Sequence, residues 1–164
     1  MGKVKLTKGE LKRQRDALRQ YERYLPTLQL KKQQLQVEIL HQAMALEEKR
    51  KAEAAGIEAI KPWSGLLVSD RMDLLPWITP KRIVTGARNI AGVDLPFLDK
   101  AEFETPEYDL FITPLWVDAA IDALRELVAL QEEIEIIEKG IEILRQELRI
   151  TTQRVNLFEK IKIP

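Results

Sequence analysis

Apolar residues recur at seven-residue intervals along the first third of the chain. A second row lies three positions after the first, and together the two rows make a seam that is apolar in its centre and polar towards both ends. The first row contains Leu11, Leu18, Leu25, Lys32, Ile39 and Leu46, and the second contains Gln14, Tyr21, Leu28, Leu35, Gln42 and Lys49. The pattern predicts a helix from about Thr7 to Ala55. Thr7 and Glu10 would form its capping box, and Gly56 would end it.

The last third of the chain carries a cleaner version of the same pattern. Both rows are apolar over six heptads except at one threonine, which is strong evidence for a coiled-coil seam. The rows are Ala120, Leu127, Ile134, Ile141, Leu148 and Val155, followed by Ala123, Leu130, Ile137, Leu144, Thr151 and Phe158. The second predicted helix begins near Pro114, where proline is tolerated, and ends just before Pro164.

The two predicted helices have matching lengths of roughly 70 Å at ~1.5 Å per residue. Each helix needs a partner for its apolar stripe, so the simplest arrangement is an antiparallel pair. The predicted fold class is mainly α, a long antiparallel two-helix coiled coil with a small middle region that contains a β-hairpin. The corresponding domains are an N-terminal helix (1–60), the middle segment (61–113) and a C-terminal helix (114–164).

The middle segment holds most of the prolines and three short β-prone runs, at 65–70, 81–92 and 93–103. The last two runs predict a β-hairpin from about Arg82 to Phe97, with its turn between Asn89 and Gly92. Two residues inside the predicted helices break local rules. Pro26 predicts a bend near Leu25, and Gly140 indicates either close backbone approach or a weak point.

Composition narrows the function classes. The chain has 26 Lys and Arg against 26 Asp and Glu, and it has no cysteine, which excludes disulfides and thiolate metal sites. The N-terminus lacks the apolar core of a signal peptide, and no run approaches the roughly 20 apolar residues of a membrane span. These observations predict a soluble protein.

Charge is nevertheless sorted along the chain. Residues 1–23 contain eight basic and three acidic residues, and 149–164 contain four basic and one acidic, whereas 117–148 contain three basic and nine acidic. In an antiparallel pair the two basic ends meet and form a positive tip. Simple solvation of a helix and an acidic protein socket both explain this tip. Nucleic acid is a weaker explanation, because aromatic residues are missing from the tip and the net charge is zero.

No pattern indicates catalysis. The glycines form no phosphate-binding loop, Ser64 and Ser69 lack the setting of a nucleophile, and the chain has no zinc-binding H-E-x-x-H motif. His41 falls on the outward side of its helix and is expected to be solvated. The acidic stretch 131–143 keeps the heptad, so its carboxylates are expected on the outer face. We therefore expect no cofactor and no metal ion.

Three stretches together carry a family resemblance. They are KLTKGELKRQRDAL (5–18), RNIAGVDLPFLD (88–99) and LRITTQRVNLFEKIKIP (148–164). In this order they resemble the D subunit, which forms the central stalk of V-type and A-type rotary ATPases. The resemblance implies a non-catalytic rotor shaft that transmits torque between the hexamer of A and B ATPase subunits and proton or sodium transport through a membrane ring. The implied partners are the A and B subunits, the F subunit of the stalk and the subunit that caps the ring, without nucleic acid or membrane insertion. The implied location is cytoplasmic, peripheral to the membrane.

The resemblance also implies two sets of partner-contact residues. The hexamer cavity would receive the basic residues of the tip, which are Lys5, Lys8, Lys12, Arg13, Arg15, Arg149, Arg154 and Lys160. The F subunit and the ring cap would contact apolar residues of the hairpin, which are Ile83, Val84, Val93, Leu95 and Phe97. Two alternatives stay open from the residues alone. One is a prefoldin-like chaperone subunit, and the other is a plain coiled-coil adaptor.

Overall fold

The computed structural model describes residues 8–69, 78–103 and 116–162. Helix α1 spans Lys8–Ser69, strand β1 spans Arg82–Ile90, strand β2 spans Val93–Glu102, and helix α2 spans Trp116–Leu157 and continues as a π-helical turn, Phe158–Lys162. The mainly α fold with a small hairpin between two long helices is confirmed. Thr7, Pro114 and Pro164 lie outside the described residues.

Helix α1 is longer than the heptads predict. It continues past Gly56 and ends at Ser69, so the predicted stop at Gly56 is wrong. The β-prone interpretation of 65–70 is wrong for residues 65–69, which are helical. Gly56 is close to α2, since a Cβ atom there would lie 2.5 Å from Leu127 Cδ2. A glycine that allows close helix contact is retained inside a helix although it lowers helix propensity. The helix also continues through Pro26, where the expected bend stays a prediction.

Contacts divide the chain into two compact units, the first formed by 1–39 with 143–164 and the second by 40–142. In the first unit α1 and α2 run antiparallel, as shown by the contacts of Tyr21 with Phe158 and of Lys31 with Glu147. Its core consists of seam residues from both helices, all of which the heptads predict. They are Leu35 and Leu144 at 0% exposure, Thr151 at 1% and Val155 at 3%.

Thr151 is the one polar residue among these buried seam positions. Its buried hydroxyl is not left unsatisfied, because no buried side-chain nitrogen or oxygen in the described part of the chain lacks a hydrogen-bond partner. A threonine inside a helix can satisfy its hydroxyl locally, so the seam keeps its register without an orphaned polar group.

The second unit also contains an antiparallel helix pair, and its core is wider than the seam. Ala120, Ile134 and Ile141 are buried as the heptads predict, but Ile121 and Ile136 are buried too and lie outside both rows. This unit includes the hairpin, which lies close to α2: the guanidinium carbon of Arg125 is 4.8 Å from the ring centre of Phe103. The buried residues of α2 in this unit therefore extend beyond the two seam rows.

The hairpin is confirmed and its second strand is longer than predicted. A two-residue turn, Ala91 and Gly92, joins the strands with φ angles of 54° and 80°. Positive φ at both positions is the geometry of the tight turn that matches strand twist, and it favours glycine at the second position. The register shifts between Val84 and Thr85, which leaves Asp99 as a bulge residue on β2.

Among the described residues, no helix has the length and apolar character that crossing a membrane requires.

Two of the glycines in the helices of the second unit, Gly56 and Gly140, make a matched test. A Cβ atom at Gly140 meets nothing within 4 Å, whereas one at Gly56 meets Leu127. We expect Gly140→Ala to raise the free energy of unfolding by about 0.5–1 kcal/mol through helix propensity alone. Gly56→Ala should not show this gain in stability, because Leu127 has to move to make room for the new Cβ atom. Urea unfolding followed by circular dichroism measures both, and equal gains would contradict the close contact.

Candidate partner-binding surfaces

The basic residues predicted for the hexamer cavity are on the surface of the first unit. Lys5 lies outside the described residues, and every other member is exposed, namely Lys8, Lys12, Arg13, Arg15, Arg149, Arg154 and Lys160. Arg13 lies 3.8 Å from Glu10, but with 84% of its side chain exposed this pair is weak. We call these seven exposed residues the basic tip.

Two contacts hold the end of α2 against α1. The rings of Tyr21 and Phe158 have centroids 5.1 Å apart at an angle of 34°, a geometry that is favourable for aromatic pairs. Gln29 donates a hydrogen bond of 2.7 Å from Nε2 to Glu159 Oε1. Both Phe158 and Glu159 belong to the π-helical turn, so this turn joins the end of α2 to α1.

The acidic residues of α2 do not all fan outwards as the sequence suggested. Three carboxylates form ion pairs with basic residues of α1: Glu147 with Lys31 at 2.8 Å, Glu133 with Lys49 at 3.3 Å and Glu138 with Arg50 at 2.7 Å. In each pair α1 supplies the cation and α2 the anion, as flanking positions of coiled coils commonly do. Part of the uneven distribution of charge along the sequence therefore reflects ion pairs between the two helices.

The hairpin divides its predicted contact residues between two faces. Residues two apart on a strand share a face, so Val93, Leu95 and Phe97 point to one side. Val93 and Leu95 are 9% and 3% exposed, whereas Phe97 is 41% exposed. Val84 belongs to the same side through its register, and Ile83 points to the other; both are half-buried. The chain's own core thus covers Val93 and Leu95, and Phe97 is the contact candidate most available to a partner.

Phe97 also has a role within the hairpin. It lies opposite Gly86 in the register, and a Cβ atom on Gly86 would clash with the ring carbon Cζ. An aromatic side chain laid across a strand glycine covers backbone that would otherwise be bare. Gly86 therefore sets the position of the Phe97 ring.

Sequence reasoning missed a set of exposed apolar side chains on α1. They are Leu30, Val37, Leu40 and Met44, each more than half exposed, at 54%, 51%, 64% and 70%. Their spacing of three, four and seven places them on one side of the helix, away from the seam positions. A second search for seven-residue spacing, after removal of the seam rows, could have found them.

The described residues contain no cluster of metal-ligating side chains. No group of three or more His, Cys, Asp or Glu side chains there could hold a metal ion, and His41 is exposed. What the chain offers is antiparallel helix pairing in both units, with a charged end in the first and an aromatic residue on the hairpin of the second. These features define a two-helix coiled-coil protein with a small β-hairpin.

The family follows from comparison with known proteins. A family model described as the D subunit of ATP synthase matches residues 10–164. The V-type ATP synthase D subunit of Borreliella burgdorferi is 44% identical over 164 residues, covering 100% of this chain and 81% of that protein. The V-type ATP synthase D subunit of Chlamydia pneumoniae is 34% identical, covering 98% of this chain and 78% of that protein. The chain belongs to the family of ATP synthase D subunits.

The ion pair of Lys31 with Glu147 is the least exposed of the three helix-to-helix pairs, with 28% of each side chain exposed. We expect Lys31→Glu and Glu147→Lys each to lower the free energy of unfolding by about 1 kcal/mol, because like charges then face each other. The double exchange should recover most of this loss, since it restores opposite charges.

Urea unfolding of the four proteins measures this coupling. Lys139→Glu is the control, because Lys139 is exposed and has no ion pair in the described part of the chain. A double exchange that is as unstable as the sum of the single changes would show that the pair contributes nothing.

Proposed function

We propose that this chain is the non-catalytic central-stalk subunit of a V-type or A-type rotary ATPase. It transmits torque between ATP hydrolysis or synthesis in a catalytic hexamer and proton or sodium transport through a membrane ring. The observation that carries the proposal is membership of the D-subunit family over nearly the whole chain. A non-catalytic role agrees with an architecture that is built from helix pairing and surface charge.

A subunit that transmits torque has to resist being twisted and bent. Two helices that share a buried seam resist bending and sliding better than one, because sliding would expose the seam side chains. The helix-to-helix ion pairs on the flanks of the seam add to this resistance. No bond needs to form or break in this chain for torque to pass through it.

The partners in this proposal follow the assignment of surfaces. The basic tip enters the cavity of a hexamer of A and B ATPase subunits, where an acidic collar would attract it by long-range steering as well as by contact. The hairpin contacts the F subunit of the stalk and the subunit that caps the membrane ring. The chain is then cytoplasmic and peripheral to the membrane, held there by its partners.

The prefoldin-like alternative receives no support from the relatives, which bear the name of the V-type ATP synthase D subunit. That architecture also pairs two helices around a hairpin, so the fold alone does not separate the two functions. The assembly does separate them, because a chaperone of that kind forms its own hexamer whereas a stalk subunit joins one made of other chains.

The basic tip can be tested by reversing two charges. Arg154 and Lys160 are exposed and have no ion pair among the described residues. We expect Arg154→Glu with Lys160→Glu to weaken binding to the hexamer of A and B subunits at least tenfold, because two attractions become repulsions. Helicity should not change. Biolayer interferometry at two salt concentrations measures the affinity, and circular dichroism measures the helicity.

A matched control carries the same change of charge away from the basic tip. Lys51→Glu with Lys139→Glu reverses two exposed charges of the second unit that form no ion pair within the described ranges. If this control weakens binding as much as the first variant does, net charge governs docking and the basic tip has no special part in it.

The hairpin contact can be tested at Phe97. We expect Phe97→Ser to weaken binding of the F subunit about tenfold. The short serine side chain would lose most of the area that the phenylalanine ring buries against the partner. Ala87→Ser is the control, since Ala87 is exposed on the opposite face of the hairpin. Isothermal titration with the purified F subunit measures both, and equal affinities for the two variants would remove Phe97 from the interface.

A further inference from the structure

The outer edge of strand β1 has no backbone partner in the described part of the chain. The turn at Ala91 and Gly92 makes Ile90 and Val93 the first hydrogen-bonded pair of the hairpin. Hydrogen-bonded and non-hydrogen-bonded pairs then alternate along the antiparallel ladder. The backbone N–H and C=O groups of every second residue of β1 therefore point away from β2. These outward residues are Thr85, Ala87 and Asn89, and all of them are exposed.

The outer edge of β2 differs because it contains a proline. Pro96 pairs with Ala87, and by the same alternation its nitrogen, which has no hydrogen to donate, faces outwards. Proline on an edge strand is a common protection against pairing with a further strand. β1 contains no proline, and its outward residues carry no charge. The hairpin is thus protected at one edge and open to strand addition at the other.

Side chains beside the open edge would give an added strand its specificity. The register puts Gly86, Arg88 and Phe97 on one face of the hairpin. The exposed ring of Phe97 lies over Gly86, so it reaches across to β1. Arg88 is exposed, and its side chain has no ion pair or hydrogen bond within the described ranges. An added strand would therefore have an aromatic ring beside one of its side chains and a guanidinium beside the next one on that face.

Charge decides which kind of strand fits this edge. Lys81, Arg82 and Arg88 lie on β1 or directly before it and are exposed, and β1 contains no acidic residue. A second copy of β1 would bring the same cations to the shared sheet, where like charges on neighbouring strands are destabilising. A strand that contains Asp or Glu would bring the opposite charge. Charge complementarity therefore favours an acidic partner over self-association.

We propose that the outer edge of β1 binds an extended segment of the F subunit, which adds a third strand to the hairpin. The segment carries an apolar residue beside Phe97 and, two positions away, an Asp or Glu beside Arg88. Backbone hydrogen bonds supply affinity and the two side chains supply specificity, as in other complexes formed by strand addition. The inference rests on the proposed function, because the F subunit is the partner assigned there to the hairpin.

Amide hydrogen exchange separates strand addition from other kinds of contact. The isotope-labelled chain is measured by NMR alone and in complex with the unlabelled F subunit, after isothermal titration has shown whether the two bind. We expect the amides of Thr85, Ala87 and Asn89 to exchange at least tenfold more slowly in the complex, because each then donates to the added strand. The outward amides of β2, those of Asp94 and Leu98, are the internal control and should not change.

Two further variants test the backbone and the charge separately. Ala87→Pro removes one outward N–H of β1 and should weaken binding of the F subunit about tenfold, whereas Ala87→Ser keeps this N–H and should bind as the unchanged chain does. Slow exchange of the inward amides of Gly86 and Arg88 shows that the hairpin of the proline variant is intact. Arg88→Glu should also weaken binding about tenfold, because attraction becomes repulsion. Lys51→Glu, on an exposed part of α1, is its control.

The outcomes separate this inference from the proposed function. Strand addition at β1 is overturned, while the hairpin contact stands, if the F subunit binds but the outward amides of β1 keep their exchange rates or those of β2 slow down instead. Slow exchange of the β1 amides in the free chain would also overturn it, because another part of this chain or a second copy would then cover the edge. Equal affinities of Arg88→Glu and Lys51→Glu would overturn the acidic character of the segment. Failure of the F subunit to bind at all would overturn the hairpin contact in the proposed function and this inference with it.

Discussion

A pair of α-helices can bury only the side chains that face each other along one seam, which leaves most of each helix exposed. In this chain the constraint is visible in the first unit, where the buried residues that the structure describes are few and come from both helices: Leu35, Leu144, Thr151 and Val155. The burial of so few residues has to hold two long helices in register. The flanking ion pairs and the aromatic contact of Tyr21 with Phe158 contribute where the seam cannot.

A thin core has a consequence for function. Because little of the surface is needed for folding, many charged, amide and apolar side chains remain available to other proteins. The basic tip and Phe97 on the hairpin are surfaces of this kind. Their chemistry differs, since the basic tip presents charge and Phe97 presents an aromatic ring.

The heptad rows predicted much of the fold, including the residues of the seam, because burial along a helix pair follows a period that can be read directly. The hairpin could be predicted too, since Ala91 and Gly92 lie where two β-prone runs meet. The end of α1 could not. Gly56 is a helix-stop signal locally, and its close approach to Leu127 is a contact between two helices that the local sequence does not reveal. The candidate surfaces were also harder to predict from the sequence, because the burial of Val93 and Leu95 depends on where the hairpin packs.

The central claim is that this chain joins, as a single copy, a hexamer made of other subunits. Native mass spectrometry of the purified chain mixed with the A and B subunits tests it most directly, because the mass gives the number of copies. The account predicts a complex of three A, three B and one copy of this chain, with the free chain present as a monomer. Assembly of the chain into a hexamer of its own that ignores A and B would contradict the account.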